Sequence, residues 1–327
     1  MKGLKLESIF TYIGYRAITA LSNLLPRGTQ YAIAHRMADA HYLFDKRARE
    51  SVKANLRAIL GPDASEERVR EQARWVFRSF GMYLCEFLGY RHYGPAFVDA
   101  HVTVQGREYL DAALARGKGV IFCSAHYSNW ELGATTFAHL GYPVVAITQM
   151  HAHSKVNEMF VRQRAVRGVE VVHSDRGAKA ALKALRSNKT VAMLGDRTTG
   201  GPVVNVKLFG RSTGIPQGPW RMAYTTGATV LPTFIHRRFN NSYTMEISPA
   251  ITLEQGDRDQ AMAVAAQAWA NCLEAQLRAD PCQWATFTPF WDASGIAGTA
   301  GAGQDLLDVG EKVDAAANPP KMSAQDA

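Results

Sequence analysis

Much that would assign a chemistry at once is missing from this 327-residue chain. Its four cysteines, Cys85, Cys123, Cys272 and Cys282, form no C-x-x-C pair and lie in apolar or helical surroundings. That excludes a disulfide framework and a zinc ribbon and favours a reducing compartment. There is no P-loop and no G-x-G-x-x-G, so a nucleotide cofactor has no support. His151-Ala-His153 with His173 lacks a carboxylate or cysteine at matching spacing, so these read as surface or loop histidines and no metal is expected. The N-terminus has no small-residue cleavage site, and Glu7 and Arg16 interrupt its apolar stretch, so neither a cleavable signal nor a clean spanning helix is expected.

What is present is apolar mass and positive charge. With 47% hydrophobic and 10% aromatic residues the chain can bury a large core. A formal charge of +8 and a pI near 9.3 favour nucleic acid, anionic headgroups or an acidic carrier protein as partner. Lys and Arg are scattered and accompany no nucleic-acid motif, which removes nucleic acid and leaves membrane or carrier.

Leu6, Ile9, Phe10, Ile13, Ala17, Ile18, Leu21, Leu24 and Leu25 recur at helical spacing. They predict an amphipathic helix over residues 1–27 that lies on a membrane leaflet or packs on the core, ended by Pro26 and Gly28. Counting this segment, a helical prelude of roughly three helices runs to about residue 100, with Asp63 and Glu66 as a capping box. Strands are then predicted at Gly119–Ser124, Pro143–Thr148, Val169–His173, Thr190–Gly195, Val203–Phe209, Thr229–Ile235 and Ser242–Ile247. They alternate with helices at Trp130–Leu140, Ser154–Arg167, Gly177–Ser187 and Pro219–Thr226, and a last helix spans Asp257–Arg278. The expected fold is therefore α/β, a mixed, partly parallel sheet flanked by helices, in one domain over residues 28–292. Residues 293–327, rich in Ala, Gly and Asp, read as a disordered tail.

The segment Gly119–Gly133 runs from a buried strand through a turn into a helix, with His126 and Glu131 at the junction. On an ideal helix five residues rotate by about 500°, leaving the two side chains about 140° apart, so His126 must precede the helix. From the turn its imidazole can reach back to Glu131, which would accept its N–H and leave the other nitrogen as a base for a hydroxyl. Backbone N–H groups at the helix start could receive an oxyanion. Ser128-Asn-Trp-Glu131 reads equally well as a capping box with Ser128 as N-cap. Spacing alone does not separate the two. Gly210-Arg-Ser-Thr-Gly214 fits a nucleophile elbow, but Pro216 stands where its helix should start and no acid lies between Ser212 and His236.

Ala125-His-Tyr-Ser-Asn-Trp-Glu131, Gly195-Asp-Arg197, Leu208-Phe-Gly210, Pro216-Gln-Gly-Pro219, Thr226-Gly-Ala228, Leu231-Pro232 and Asp280-Pro-Cys-Gln-Trp284, with Asn55-Leu56 and Glu86 before them, occur in a specific order. Over roughly residues 8 to 292 they resemble the bacterial lipid A biosynthesis (late) acyltransferase family, which includes phosphatidylinositol mannoside acyltransferases. The resemblance implies a glycerolipid acyltransferase-like fold and transfer of a fatty acyl chain from acyl carrier protein or coenzyme A to a glycolipid hydroxyl. It implies His126 as base, Glu131 as its orienting partner, and Ser128, Asn129, Arg164, Asp196 and Arg197 at the substrates. It also implies the cytoplasmic face of the inner membrane as the site of action, with a bilayer, a glycolipid acceptor and an acyl thioester as partners and no cofactor. Many members carry Asp-Gln where this chain has Asp196-Arg197, which leans toward the mannoside enzymes. The rival, a lysophosphatidate-type acyltransferase, normally has Asp in place of Glu131 and a downstream Glu-Gly-Thr-Arg block that this chain lacks.

Overall fold

The structure is a computed structural model that describes residues 6–89, 92–149, 154–198 and 200–291, without side chains at 6–11 and 174–176. The expected tail and His151-Ala-His153 lie outside the described residues.

The prelude holds four helices rather than three: α1 (Leu6–Leu24), α2 (Arg27–Phe44), α3 (Lys46–Leu60) and α4 (Glu66–Leu88). Pro26 separates α1 from α2, whereas Gly28 is tolerated inside the first turn of α2. Asp45 divides α2 from α3 by accepting a hydrogen bond from the Ala48 backbone N–H at 2.8 Å. The N-cap of α4 is Ser65, which accepts from Arg68 N at 3.2 Å, and not Asp63; Glu66 is then the first helical residue and not the third, the position a capping box requires.

Two short helices missed by periodicity, α5 (Pro95–His101) and α6 (Arg107–Ala115), flank β1 (Val102–Gln105). The predicted alternation then follows as β2 (Val120–Ser124), α7 (Trp130–His139), β3 (Val144–Thr148), α8 (Ser154–Ala165), β4 (Val169–His173), α9 (Ser174–Arg186) and β5 (Thr190–Leu194). The hairpin of β6 (Val203–Leu208) and β7 (Arg211–Pro216), α10 (Gly218–Thr226), β8 (Thr229–Arg237), β9 (Tyr243–Ile247) and α11 (Arg258–Ala279) complete it.

The seven-stranded sheet has the order β1-β9-β8-β2-β5-β3-β4; β8, β2, β5, β3 and β4 run parallel, and β9 is antiparallel to β8. Helices cover both faces, so the central strands read as continuous apolar runs. On β2, Ile121 and Cys123 face a core with Trp220, Trp269 and Leu273, while Val120 and Phe122 face α6 and α7, where Phe122 stacks on Phe137 with ring centroids 3.9 Å apart. Burial of each such side chain contributes about 1.5–3 kcal/mol. Leaving β2, the chain passes to β3 and β4 and returns in β5, between β2 and β3. The carboxyl ends of β2 and β5 therefore lie side by side at a change of direction, where α/β sheets form their crevice.

The elbow-like Gly210-Arg-Ser-Thr-Gly214 belongs to the hairpin. Phe209 and Gly210 take the two positive-φ positions of its turn (52° and 71°), and Ser212 lies exposed on β7. Among the described residues, no helix is long and apolar enough to cross a membrane.

Candidate active site

β2 and β5 are in parallel register with Ser124 opposite Leu194, and the ladder continues when Gly195 N donates to Ser124 O at 2.8 Å. A Cβ on Gly195 would come within 2.8 Å of Cys123 Sγ and 3.0 Å of the Trp269 ring, so any larger residue would have to displace these side chains for the strands to stay as close as they are. One residue further on stand His126 and Asp196. The two form the centre of the site because each lies two positions beyond a matched pair on adjacent strands.

Asp196 is fully buried and its carboxylate is divided among three donors. Oδ1 accepts from His126 Nδ1 at 2.8 Å, and Oδ2 accepts from His126 backbone N at 3.1 Å and from Trp284 Nε1 at 3.0 Å. An ionised carboxylate only accepts, so Nδ1 carries the ring proton and Nε2 is left as the basic nitrogen. Burial pushes the Asp196 carboxyl up, but the His126 ring, Arg197 and Trp284 outweigh it and hold the group well below the usual carboxylate range. Burial and the nearby Arg197 push His126 below its ordinary value of 6.5, against the pull of Asp196, so the imidazole is neutral at pH 7. The His126 side chain remains 23% exposed, with its ring edge-on to Trp130 at 5.1 Å.

The turn that carries His126 is clamped from the C-terminal segment. Tyr127 N donates back to Ala125 O at 2.7 Å, Ser128 N to Gln283 O at 2.7 Å, and Ala285 N to His126 O at 2.8 Å. Tyr127 Oη donates to Asp280 O at 3.1 Å. Asp280-Pro-Cys-Gln-Trp284 thus supplies the brace for the turn and, through Trp284, the third donor to Asp196.

Glu131 does not take the His126 N–H. Both its oxygens accept from Arg164, at 3.0 and 3.1 Å from Nε and 2.6 Å from Nη2. The bidentate guanidinium on α8 is the stronger partner for a carboxylate facing that helix, and Asp196 is nearer the ring in register. The capping box is likewise replaced. Ser128 sits at φ 54°, with its buried Oγ unpartnered, and the N-cap is Asn129, whose Oδ1 accepts from Leu132 N at 2.9 Å. Because Gln283 draws Ser128 out of line, the helix begins one residue later and Glu131 falls at its second position.

The remaining expected residues also face the protein. Asn129 Nδ2 donates to Glu86 Oε2 at 2.7 Å, so both ends of its amide are occupied. Arg197 Nη2 makes a short hydrogen bond to Ala285 O and a longer one to Thr286 Oγ1 at 3.4 Å, while its buried Nε has no partner. Glu86 escaped any assignment from residue spacing. It accepts from Arg237 at 2.6 and 2.7 Å, from Tyr243 Oη at 2.6 Å, and from Tyr31. All four cysteines are free, and among the described residues no group of three His, Cys, Asp or Glu could hold a metal ion.

A carboxylate–imidazole couple at the carboxyl edge of a parallel sheet, with one ring nitrogen left basic and part of the ring open to solvent, is the arrangement of α/β enzymes that take a proton from a bound substrate. The chain belongs to the bacterial lipid A biosynthesis acyltransferase family, whose profile matches residues 2–292. It is 28% identical over 194 residues to the phosphatidylinositol mannoside acyltransferases of two Mycobacterium tuberculosis strains, CDC 1551 / Oshkosh and H37Rv. The match takes in 58% of this chain and spans about three fifths of their length, 60%. The phosphatidylinositol mannoside acyltransferase of Mycolicibacterium smegmatis is 23% identical over 291 residues, 86% of this chain and 92% of that protein.

Proposed function

We propose that the protein is a membrane-associated O-acyltransferase that moves a fatty acyl chain from a thioester of acyl carrier protein or coenzyme A to a hydroxyl of a glycolipid. The observation that carries this reading is the His126 Nδ1 bond to Asp196 at 2.8 Å, which leaves Nε2 basic beside an open edge. Nε2 takes the proton of the acceptor hydroxyl as its oxygen attacks the thioester carbonyl. The resulting oxyanion collapses, the C–S bond breaks, and the imidazolium returns the proton to the leaving thiolate. Asp196, anionic throughout, orients the ring and stabilises its charged form. Backbone N–H groups in the first turn of α7, at the positive end of the helix dipole, are suited to the oxyanion. Arg164, tied to Glu131, joins α8 to the first turn of α7, and Arg197 holds the C-terminal brace over Asp196.

The likeness to the mycobacterial phosphatidylinositol mannoside acyltransferases favours a mannosylated phosphatidylinositol as acceptor, and the family a lipid A precursor. Association with the bilayer has support in α1. Its Tyr15 and Ser22 are buried on the body, while Ile13, Ala17, Leu21 and Leu24 form an exposed stripe, Leu24 at 74%. Thioester donors of this kind are cytoplasmic, so the cytoplasmic leaflet is the proposed face.

The test is transfer of labelled acyl chain from both donors to each glycolipid acceptor by wild type and His126→Ala. Transfer by wild type to one acceptor and a loss of about 10²–10⁴-fold in the variant are expected. Equal transfer by both proteins would remove His126 from the chemistry.

A further inference from the structure

Glu86 stands in the last turn of α4, 1% exposed, and carries more side-chain partners than the structure requires to satisfy it. Arg237 on β8 pairs with both its oxygens, Tyr243 on β9 reaches both at 2.6 Å, and Tyr31 on α2 donates to Oε1. Arg237 balances the charge of the carboxylate and, with the two hydroxyls, occupies most of its acceptor sites. The remaining donor is the Asn129 amide, at 2.7 Å, and it alone belongs to the turn that bears His126. Asn129 in turn caps α7 through Leu132 N. The same end of α4 is gripped from the other side, where Arg167 donates to Glu86 O at 3.0 Å and Phe87 O at 2.8 Å, three residues beyond the Arg164 that holds Glu131.

We propose that Glu86 is a positioning residue for the acyl transfer step, fixing the first turn of α7 through the Asn129 amide so that His126 and Asp196 stay in register. The assignment rests on the acyltransferase reading above. It gives Asn129 a place in the machinery other than contact with substrate, and it makes the helical prelude part of the site. Glu86 behaves as a fixed anion. Around it lie Tyr31, Arg237, Tyr243 and Arg167, and burial, which opposes its ionisation, is outweighed by Arg237 and the hydroxyl donors.

Two substitutions separate positioning from folding, because serine and aspartate both remain good N-caps. Asn129→Ser keeps an acceptor for Leu132 N and, being shorter, withdraws the donor from Glu86. Its kcat should fall about ten- to a hundredfold, the loss expected of a small misplacement, with KM for both substrates within about twofold of wild type. Asn129→Asp sets a second carboxylate against Glu86, so the pair binds a shared proton more readily than either group alone. Its activity relative to wild type should rise as pH falls from about 8 to 6, although wild-type activity falls in that direction. A merely structural Asn129 gives neither signature.

An unchanged kcat in Asn129→Ser, or a loss confined to KM for one substrate, overturns the proposal. The proton resonance of His126 Nδ1 in the unliganded full-length protein is read independently of activity. In Asn129→Ser it should weaken or shift, and an unaltered resonance overturns the proposal even if no acyl transfer is found in wild type. Absence of transfer with an altered resonance would count against the acyltransferase reading and leave the positioning role standing.

Discussion

Two carboxylates flank the His126 turn, and they differ in what the chain has placed opposite them. On the β5 side Asp196 meets an imidazole, a backbone N–H and an indole N–H, three donors with no permanent full charge among them. On the α8 side Glu131 meets a guanidinium that fills both its oxygens. Arg197 also acts on this anion through space, but among the groups bonded to it His126 is the one that can take up a proton. In the second, the charge is already neutralised by direct contact, and Glu131 acts on the ring only through space. Asp196 is thus the partner of the His126 ring, and Glu131 is an anchor of α7 to α8.

Substitutions at the two positions can break this contrast. Asp196→Asn keeps the shape but offers an amide where an anion accepted the ring N–H, so Nε2 takes the proton and the base is lost. Activity should fall about 10³–10⁴-fold in an acyl-transfer assay. Glu131→Gln leaves Arg164 buried without its anion, and the melting transition should record a loss of about 3–5 kcal/mol, with a smaller fall in activity than in Asp196→Asn. If Glu131→Gln were the more damaging to kcat, the contrast would be reversed. Gly195→Ala tests the ground on which Asp196 stands, since the methyl meets Cys123 and Trp269; overpacking should cost about 1–3 kcal/mol by denaturant titration.

The pH profile is the mildest probe. His126 is held below 6.5 by burial and Arg197, and the working form is neutral, so the rate should fall with acidity along a limb lying below pH 6.5. Stability changes in the same sense. Below pH 6.5 the unfolded chain takes up a proton that the folded ring resists, so the native state weakens as pH drops toward the folded pKa. Glu131→Gln should leave the limb nearly where it was. A limb that moved with Glu131 and not with Asp196 would assign the ring to the wrong carboxylate.

The helical periodicity that placed His126 before α7 is a local property, legible because five helical residues cannot bring two side chains together. The parallel strands β2, β3, β4 and β5 were legible for a similar reason, as each is a short apolar run bounded by turns. The partner of His126 was not. It depends on β5 returning between β2 and β3, a matter of strand order that no window of sequence contains, and Gly195-Asp-Arg197 could be matched only as a family segment. β7 was missed because Arg211-Ser-Thr-Gly214 has little apolar alternation of its own, and its pairing with β6 is imposed by the turn at Phe209 and Gly210. The one-residue error at the start of α7 has a tertiary cause too, since Gln283 and Glu86 decide that Asn129, not Ser128, turns toward the helix.

The pairing of His126 with Asp196 is read from the protonation state of the ring. Nitrogen chemical shifts of the imidazole, recorded at pH 7 in wild type, Glu131→Gln and Asp196→Asn, report which nitrogen carries the proton. With Asp196 as the partner, the proton stays on Nδ1 in wild type and Glu131→Gln and moves to Nε2 in Asp196→Asn. A proton on Nδ1 that survives in Asp196→Asn and is lost in Glu131→Gln would contradict that pairing.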